Sequence, residues 1–352
     1  MLNSPVTIED KQLPNGEHQR VVLFKDFLID RIYPSMRGPW TRKDFKLYPS
    51  EKSQSLWILR FRADVLDEKT HKASQEFLCH MNLDLIGPAE RDGIPSSRIT
   101  ISQGQKEITF PKGYALRMDN DPSDQIDLGV MLLNNNTDAI HKTLNLKSTV
   151  RFMDDQTAAA HHLIPLTERV IYTVCPTTGP VEPGEVICEP ATTWEKEGST
   201  PARLRTAHWM VPPGRQVIST DVTDIFYLPY DTTAHYIWMH VHPHAESLEL
   251  WDATDKKTVW KGHAKNPSNP EQAQILRTEV YSSVKGIPLY KDHRYRLITI
   301  YNNTTAYKVD AMAGLAIYLR EKNFPAPEPS KSPSRTFPSM NAPDQQAPSC
   351  HP

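Results

Sequence analysis

Alternation with a period of two restricts the fold of this chain more than any other feature. Between Trp57 and Val65, the side chains of Trp57, Leu59, Phe61, Ala63 and Val65 fall on one side, and Arg60, Arg62 and Asp64 fall on the other. Successive side chains of a β-strand point to opposite faces, so the pattern describes a strand with one face in a core and one in water. Arg294 to Tyr301 alternates in the same way. Long patterns with the helical period are scarce, and prolines outnumber glycines by 30 to 14. Proline has no N–H for a helix interior but stiffens the loops between strands, so an all-β protein is expected.

Strand-like segments come in two runs. The structured part begins at Val21 to Phe24 and Phe27 to Ile29, and continues through 57–65, 77–85, 106–110, 114–118, 127–133 and 143–153. A second run covers 205–210, 215–227, 234–242, 246–251, 257–261, 275–281, 293–301 and 309–319. The chain of 352 residues is long enough for two domains of ordinary size. The expected division is a loosely held arm at 1–18, a first β domain at 19–175, a Pro/Thr/Gly/Glu-rich connector at 176–202 and a second β domain at 203–321. A Pro/Ser-rich tail at 322–352 has a composition that cannot bury a core and is expected to be extended. A faint internal repeat agrees with two similar halves. Phe110-Pro111-Lys112-Gly113 precedes the strand around Met131 as Val211-Pro212-Pro213-Gly214 precedes the strand around Met239.

Charge excludes several classes. With 40 basic and 42 acidic residues the net charge is −2, which leaves no electrostatic footprint for nucleic acid. No apolar run reaches the length of a transmembrane helix. A Gly-rich phosphate loop, a CxxC pair and a nucleophile elbow are all missing from the sequence. No leader is read at Met1-Leu2-Asn3-Ser4-Pro5, which has neither a basic region nor an apolar run. Among the four cysteines, Cys175 and Cys188 flank a turn-rich stretch and either close a small disulfide loop or remain free thiols.

Chemistry concentrates in Tyr236-Ile237-Trp238-Met239-His240-Val241-His242-Pro243-His244. On a strand, His240 and His242 project from one side, one pleat apart, where two imidazoles can reach one ion. Met312, inside the strand-like stretch Val309 to Leu319, adds a thioether if the two strands lie side by side, and Gly314 and Ala316 on its face leave space near the sulfur. Two imidazoles and a soft sulfur suit copper better than zinc. The alternative is two strand histidines in a polar cleft and an ordinary core methionine. His208 and His235 are expected to be hydrogen-bonded or exposed, His293 to be a turn residue, and His244 to be a surface or supporting group. Glu246 and Glu249 are expected on a solvated strand face or orienting an imidazole, a role also open to Asp310.

The second half, through Val211-Pro212-Pro213-Gly214, Asp231 to Tyr236, His240 to Leu250, Gly286 to His293, and Tyr301 to Met312, resembles the copper type II, ascorbate-dependent monooxygenases. This is the family of peptidylglycine hydroxylating monooxygenase, and the resemblance is nearest to its bacterial relatives. It implies two antiparallel jelly-roll-type β-sandwich domains in tandem. It also implies one copper held by His240, His242 and Met312 at which oxygen and a substrate carbon react. A second copper in the first domain uses three histidines in the family. Here the adjacent pair falls at Cys79-His80 and the distant one near Leu132 to Asn136, while His161-His162 stands in a different context. That site is therefore expected to be absent.

Two functions follow from this. One is a non-catalytic or weakly catalytic, monooxygenase-like accessory subunit with at most one copper, working with other protein subunits of a larger, membrane-associated, electron-transport-type assembly. The other is a copper- and ascorbate-dependent monooxygenase hydroxylating an aliphatic C–H bond. The resemblance implies an extracytoplasmic setting, and a cytoplasmic one stays open because no leader is read.

Overall fold

A computed structural model describes residues 4–33, 35–47, 54–86, 97–120, 125–136, 141–176, 189–190 and 205–322. Cys188, most of the connector and the Pro/Ser-rich tail from 323 lie outside the described residues. The first half contains β1 (Val6–Gln12), β2 (His18–Ile29), β3 (Trp40–Phe45), β4 (Gln54–Asp67), β5 (Leu78–Ile86) and β6 (Ser97–Ser102). It continues with β7 (Glu107–Thr109), β8 (Tyr114–Asn120), β9 (Gln125–Leu132), β10 (Lys142–Asp154), helix α1 (Asp155–Ala160) and β11 (Ile164–Tyr172). Short strands β12 (Cys175–Pro176), β13 (Glu189–Pro190), β14 (Arg205–Thr206) and β15 (Trp209–Val211) lead into the second half. There follow β16 (Gly214–Asp221), α2 (Thr223–Phe226), β17 (Thr232–Val241), β18 (Ala245–Asp252), β19 (Lys257–Lys265) and β20 (Arg277–Thr278). The described elements end with β21 (Val280–Leu289), β22 (Tyr295–Asn303), β23 (Val309–Ala311) and β24 (Ala313–Arg320).

These strands build two mainly antiparallel β-sandwiches that share one long sheet. Its order is β1-β2-β10-β4-β8-β11-β24-β17-β21, with β7 added to β4 and a single parallel pair, β8 with β11, where the halves join. The sheet β3-β9-β5-β6 covers the first half, and β16-β22-β18-β19-β20 covers the second. One apolar core includes Phe24, Ile58, Phe61, Leu83, Leu128 and Val150. The other includes Trp209, Ile218, Leu248, Leu297, Leu315 and Ile317. Strand β11 serves both, with Leu166 in the first core and Ile171 in the second.

Two bulges decide which side chains are buried. In β4 the pairing with β10 shifts by one residue at Leu59. The expected shared face is thereby broken: Leu56, Ile58, Phe61, Ala63 and Val65 are buried, while the Trp57 indole turns outward and donates to Asp155 Oδ1 at 2.7 Å. In β17 the shift falls at His235. Beyond it Ile237, Met239 and Val241 face the second core, whereas Tyr236 and Trp238 pack into the first. A one-residue slip exchanges the two faces of a strand, so the bulge determines that the even-numbered residues look toward the first half.

The amino-terminal segment is not a loose arm between Val6 and Gln12. It pairs residue by residue with β2, and the Arg20 guanidinium grips Asp10 through two 2.6 Å contacts. Residues 222–227, expected as the end of a strand, leave the sheet as α2. Strands β3, β6 and β11 are also additional to the segments read from the alternation.

Candidate metal centre between the two halves

His240 stands at the end of β17 and His242 just past it, on the face that carries Tyr236 and Trp238 toward the first half. Their ring centroids are 5.4 Å apart with planes nearly perpendicular, at 88°. Two imidazoles on one tetrahedral ion, with metal–nitrogen bonds of about 2 Å, have centroids roughly 5 Å apart, so the pair has the spacing that a shared ion requires. Nδ1 of His240 is buried and has no hydrogen-bond partner. A buried polar atom left unpaired costs free energy, and a bound cation is one way to satisfy it.

Met312 occupies the break between β23 and β24, where the chain passes from one sheet to another. The antiparallel register pairs His240 with Gly314 and Val241 with Ala313. Continued by one residue, it sets Met312 directly across from His242, and the His242 N–H points at the Met312 carbonyl at 3.3 Å. Directly opposed residues share a sheet face, so Met312 belongs to the face of the histidine pair. Tyr301 locks this crossing: its buried hydroxyl donates to Met312 O at 2.7 Å and accepts the His242 N–H at 3.0 Å. The space beside Gly314 is filled, contrary to expectation. A Cβ there would meet Tyr172 Cδ1 at 3.0 Å and the Ile171 carbonyl at 3.2 Å.

Asp310 and His208 complete the surroundings. Asp310 Oδ2 lies 2.8 Å from His242 Nδ1, and Oδ1 lies 3.7 Å from His208 Nδ1. His208 and His242 have ring centroids 5.5 Å apart. The potential ligand atoms of His208, His242 and Asp310 all fall within 4.8 Å of one another. Burial raises the Asp310 pKa, but the imidazoles of His208 and His242 outweigh it and hold the carboxyl well below the usual range. Burial first, then the neighbouring imidazoles His242, His80 and His208, push the His240 pKa well down, which keeps the ring in the neutral, metal-binding form.

In the first half, β5 carries Cys79 and His80. Cys79 is a buried free thiol with its Sγ 3.4 Å from His80 Nδ1. Burial lowers the His80 pKa to about 4, helped by the Arg98 charge, and raises that of Cys79. The His80 charge helps lower the His240 pKa, and the Asp310 charge helps raise that of Cys79. Asn134, in the region of the expected distant histidine, instead ties its amide to the Arg31 carbonyl at 2.8 Å. His161 and His162 are exposed after α1, and His161 Nε2 contacts the Asn15 carbonyl at 2.9 Å.

The remaining candidates have structural partners. His235 is buried between Thr233 Oγ1 at 2.7 Å and the Ser283 carbonyl at 2.9 Å, stacked on Tyr114. His293 contacts Asp252 at 2.7 Å. The turn after Pro243 sends His244 away from the pair, with φ at 71° and its N–H on Asn266 Oδ1. Glu246 pairs with Arg215, and Glu249 faces Thr258 and Lys261. His208 is the residue that sequence reasoning set aside. Its signal lay in pairing, since Trp209 opposes Ala311, a contact that no local spacing reveals.

Cys175 is disulfide-bonded, and its expected partner Cys188 lies outside the described residues. Among the described residues, no helix is long and apolar enough to cross a membrane. No protein-family model matches the sequence, and no curated protein does. Among solved structures the chain is similar to N-glycanase F (PNGase F), with a TM-score of 0.35 and 10% identity over 87% of this chain and 97% of that one. Similarity to the STIV MCP has a TM-score of 0.32 and 9% identity, covering 90% and 96% of the two chains. For PBCV-1 VP54 the values are 0.30 and 8%, with 90% and 94% covered.

Proposed function

We propose that this chain is a monooxygenase-like double β-sandwich protein that holds one copper ion at His240, His242 and Met312. Its role is that of an accessory or structural subunit among other protein subunits of a larger, membrane-associated assembly outside the cytoplasm. The observation that carries the reading is the His240–His242 pair, at the spacing for a shared ion, with His240 Nδ1 buried and unpaired and Met312 across from His242. Two imidazoles and a thioether fit copper, which supplies one-electron redox chemistry when bound. Asp310 orients His242, and Tyr301 holds the strand crossing in register.

Support for the accessory role comes from the first half, which carries one thiol and one imidazole, Cys79 and His80, where the resemblance calls for adjacent histidines. The disulfide at Cys175 suits an oxidising compartment. Membrane association would run through partner subunits. A second reading, copper- and ascorbate-dependent hydroxylation of an aliphatic C–H bond, draws on His80 in the first half, whose charge acts on His240. Affinity isolation from the native source, with metal analysis, separates the two. One copper per chain and stable co-purifying subunits support the accessory role. Two coppers per chain with ascorbate-dependent oxygen uptake overturn it in favour of the second.

A further inference from the structure

We propose that His208 is a third imidazole donor, so that His208, His240, His242 and Met312 give the ion four protein donors and no open position. This rests on the copper reading above and goes beyond its three ligands. Met312 sits at the switch between two sheets, so it has a neighbour on each side. On the β17 side the register sets His242 across from it. On the β15 side, Trp209 pairs with Ala311 and Met210 with Asp310, and one further step sets His208 across from it. Directly opposed residues share a face, so His208, Met312 and His242 form one row across three strands.

Ring geometry agrees with that row. His208 and His242 lie 5.5 Å apart with planes at 67°, nearly the relation of His240 to His242. Asp310 backs the His242 ring through Nδ1 at 2.8 Å, and its other oxygen lies 3.7 Å from His208 Nδ1, within ion-pair range. An imidazole that presents its Nδ1 proton to a carboxylate carries its lone pair on Nε2, and such carboxylate backing orients metal-binding histidines. The carboxylate thus orients His242 and lies beside His208, the two residues set across from Met312 by register. Three imidazoles and one sulfur suit Cu(I) in a tetrahedral setting. Closed four-donor sets characterise structural sites, whereas catalytic ones keep a position for a reactant. The inference therefore makes the site one that holds copper without admitting a small molecule to it.

The test uses the full chain loaded with one equivalent of Cu(I) without oxygen. Copper K-edge X-ray absorption counts the imidazole and sulfur scatterers, and infrared spectroscopy under carbon monoxide reports an open position. Three imidazoles, one sulfur and no carbonyl band in the wild type are expected, with the band appearing in His208→Ala or His208→Gln. Two imidazoles, or a carbonyl band in the wild type, overturn the role of His208 and leave the copper site standing. A chain that binds no Cu(I) overturns the copper reading beneath it. The wild-type spectra decide the matter even if neither variant folds.

Discussion

Nδ1 of His242 lies 2.8 Å from Oδ2 of Asp310, although His242 follows β17 and Asp310 lies on β23, strands of different sheets. The carboxylate fixes the ring's tautomer and orientation before any ion arrives. Replacing it by an amide keeps the shape and removes the charge. Asp310→Asn is expected to weaken Cu(I) binding by about 10–100-fold, the usual effect of losing such a supporting group. Competition with a chromophoric Cu(I) chelator measures this, and an unchanged affinity would remove Asp310 from the site.

Tyr301 is 1% exposed, and its hydroxyl joins Met312 O to the His242 N–H. Tyr301→Phe leaves those buried backbone groups with only their own 3.3 Å contact. A destabilisation of about 1–3 kcal/mol is expected, the cost of stranding buried polar groups. Urea unfolding reads it, and a midpoint equal to that of the wild type would count against the hydroxyl as the lock.

Glu168 on β11 accepts the Tyr318 hydroxyl at 3.1 Å, with Arg98, Asp84 and Tyr172 nearby. Burial pushes its pKa up to about 8, against the opposing effects of the Tyr318 hydrogen bond and the Arg98 charge. Between the ordinary carboxyl range and pH 8 the folded chain holds a proton that the unfolded chain has lost, so this group's contribution to stability declines as pH rises through that window. Glu168→Gln cannot ionise and removes the decline. Unfolding midpoints at pH 6 and pH 9 should differ less in the variant than in the wild type, and equal differences would place Glu168 in an ordinary solvated setting.

Gly314 opposes His240 and receives the Tyr172 ring. The added methyl of Gly314→Ala would press on that ring and on the rigid Ile171 carbonyl. Overpacking of this kind costs about 1–3 kcal/mol. Thermal unfolding monitored by tyrosine near-ultraviolet circular dichroism should show both the loss and a changed Tyr172 signal. A neutral variant would mean that the ring yields freely.

Much of this architecture is legible in the sequence because period-two alternation is a local property. Arg294 to Tyr301 reads correctly as a strand, and the same-side placement of His240 and His242 needs only the pleat. Asp310 as a support for an imidazole follows from its closeness to Met312 in the chain. What stayed hidden depends on pairing. The bulges at Leu59 and His235 invert the buried face partway along β4 and β17 without altering the local pattern. β1 is nearly all exposed, so it shows no apolar face, and it is held by its ladder and by Arg20. His208 gains its meaning from a strand about a hundred residues away, and the filled space at Gly314 comes from Tyr172 on a third strand.

Copper content after loading tests the central claim most directly. Full-length chain is incubated with excess Cu(I) and freed of unbound metal by gel filtration, and copper per chain is then counted for the wild type and for the double variant His240→Ala/His242→Ala. The account predicts one copper in the wild type and none in the folded double variant. Equal copper in both, or none in the wild type, would contradict it.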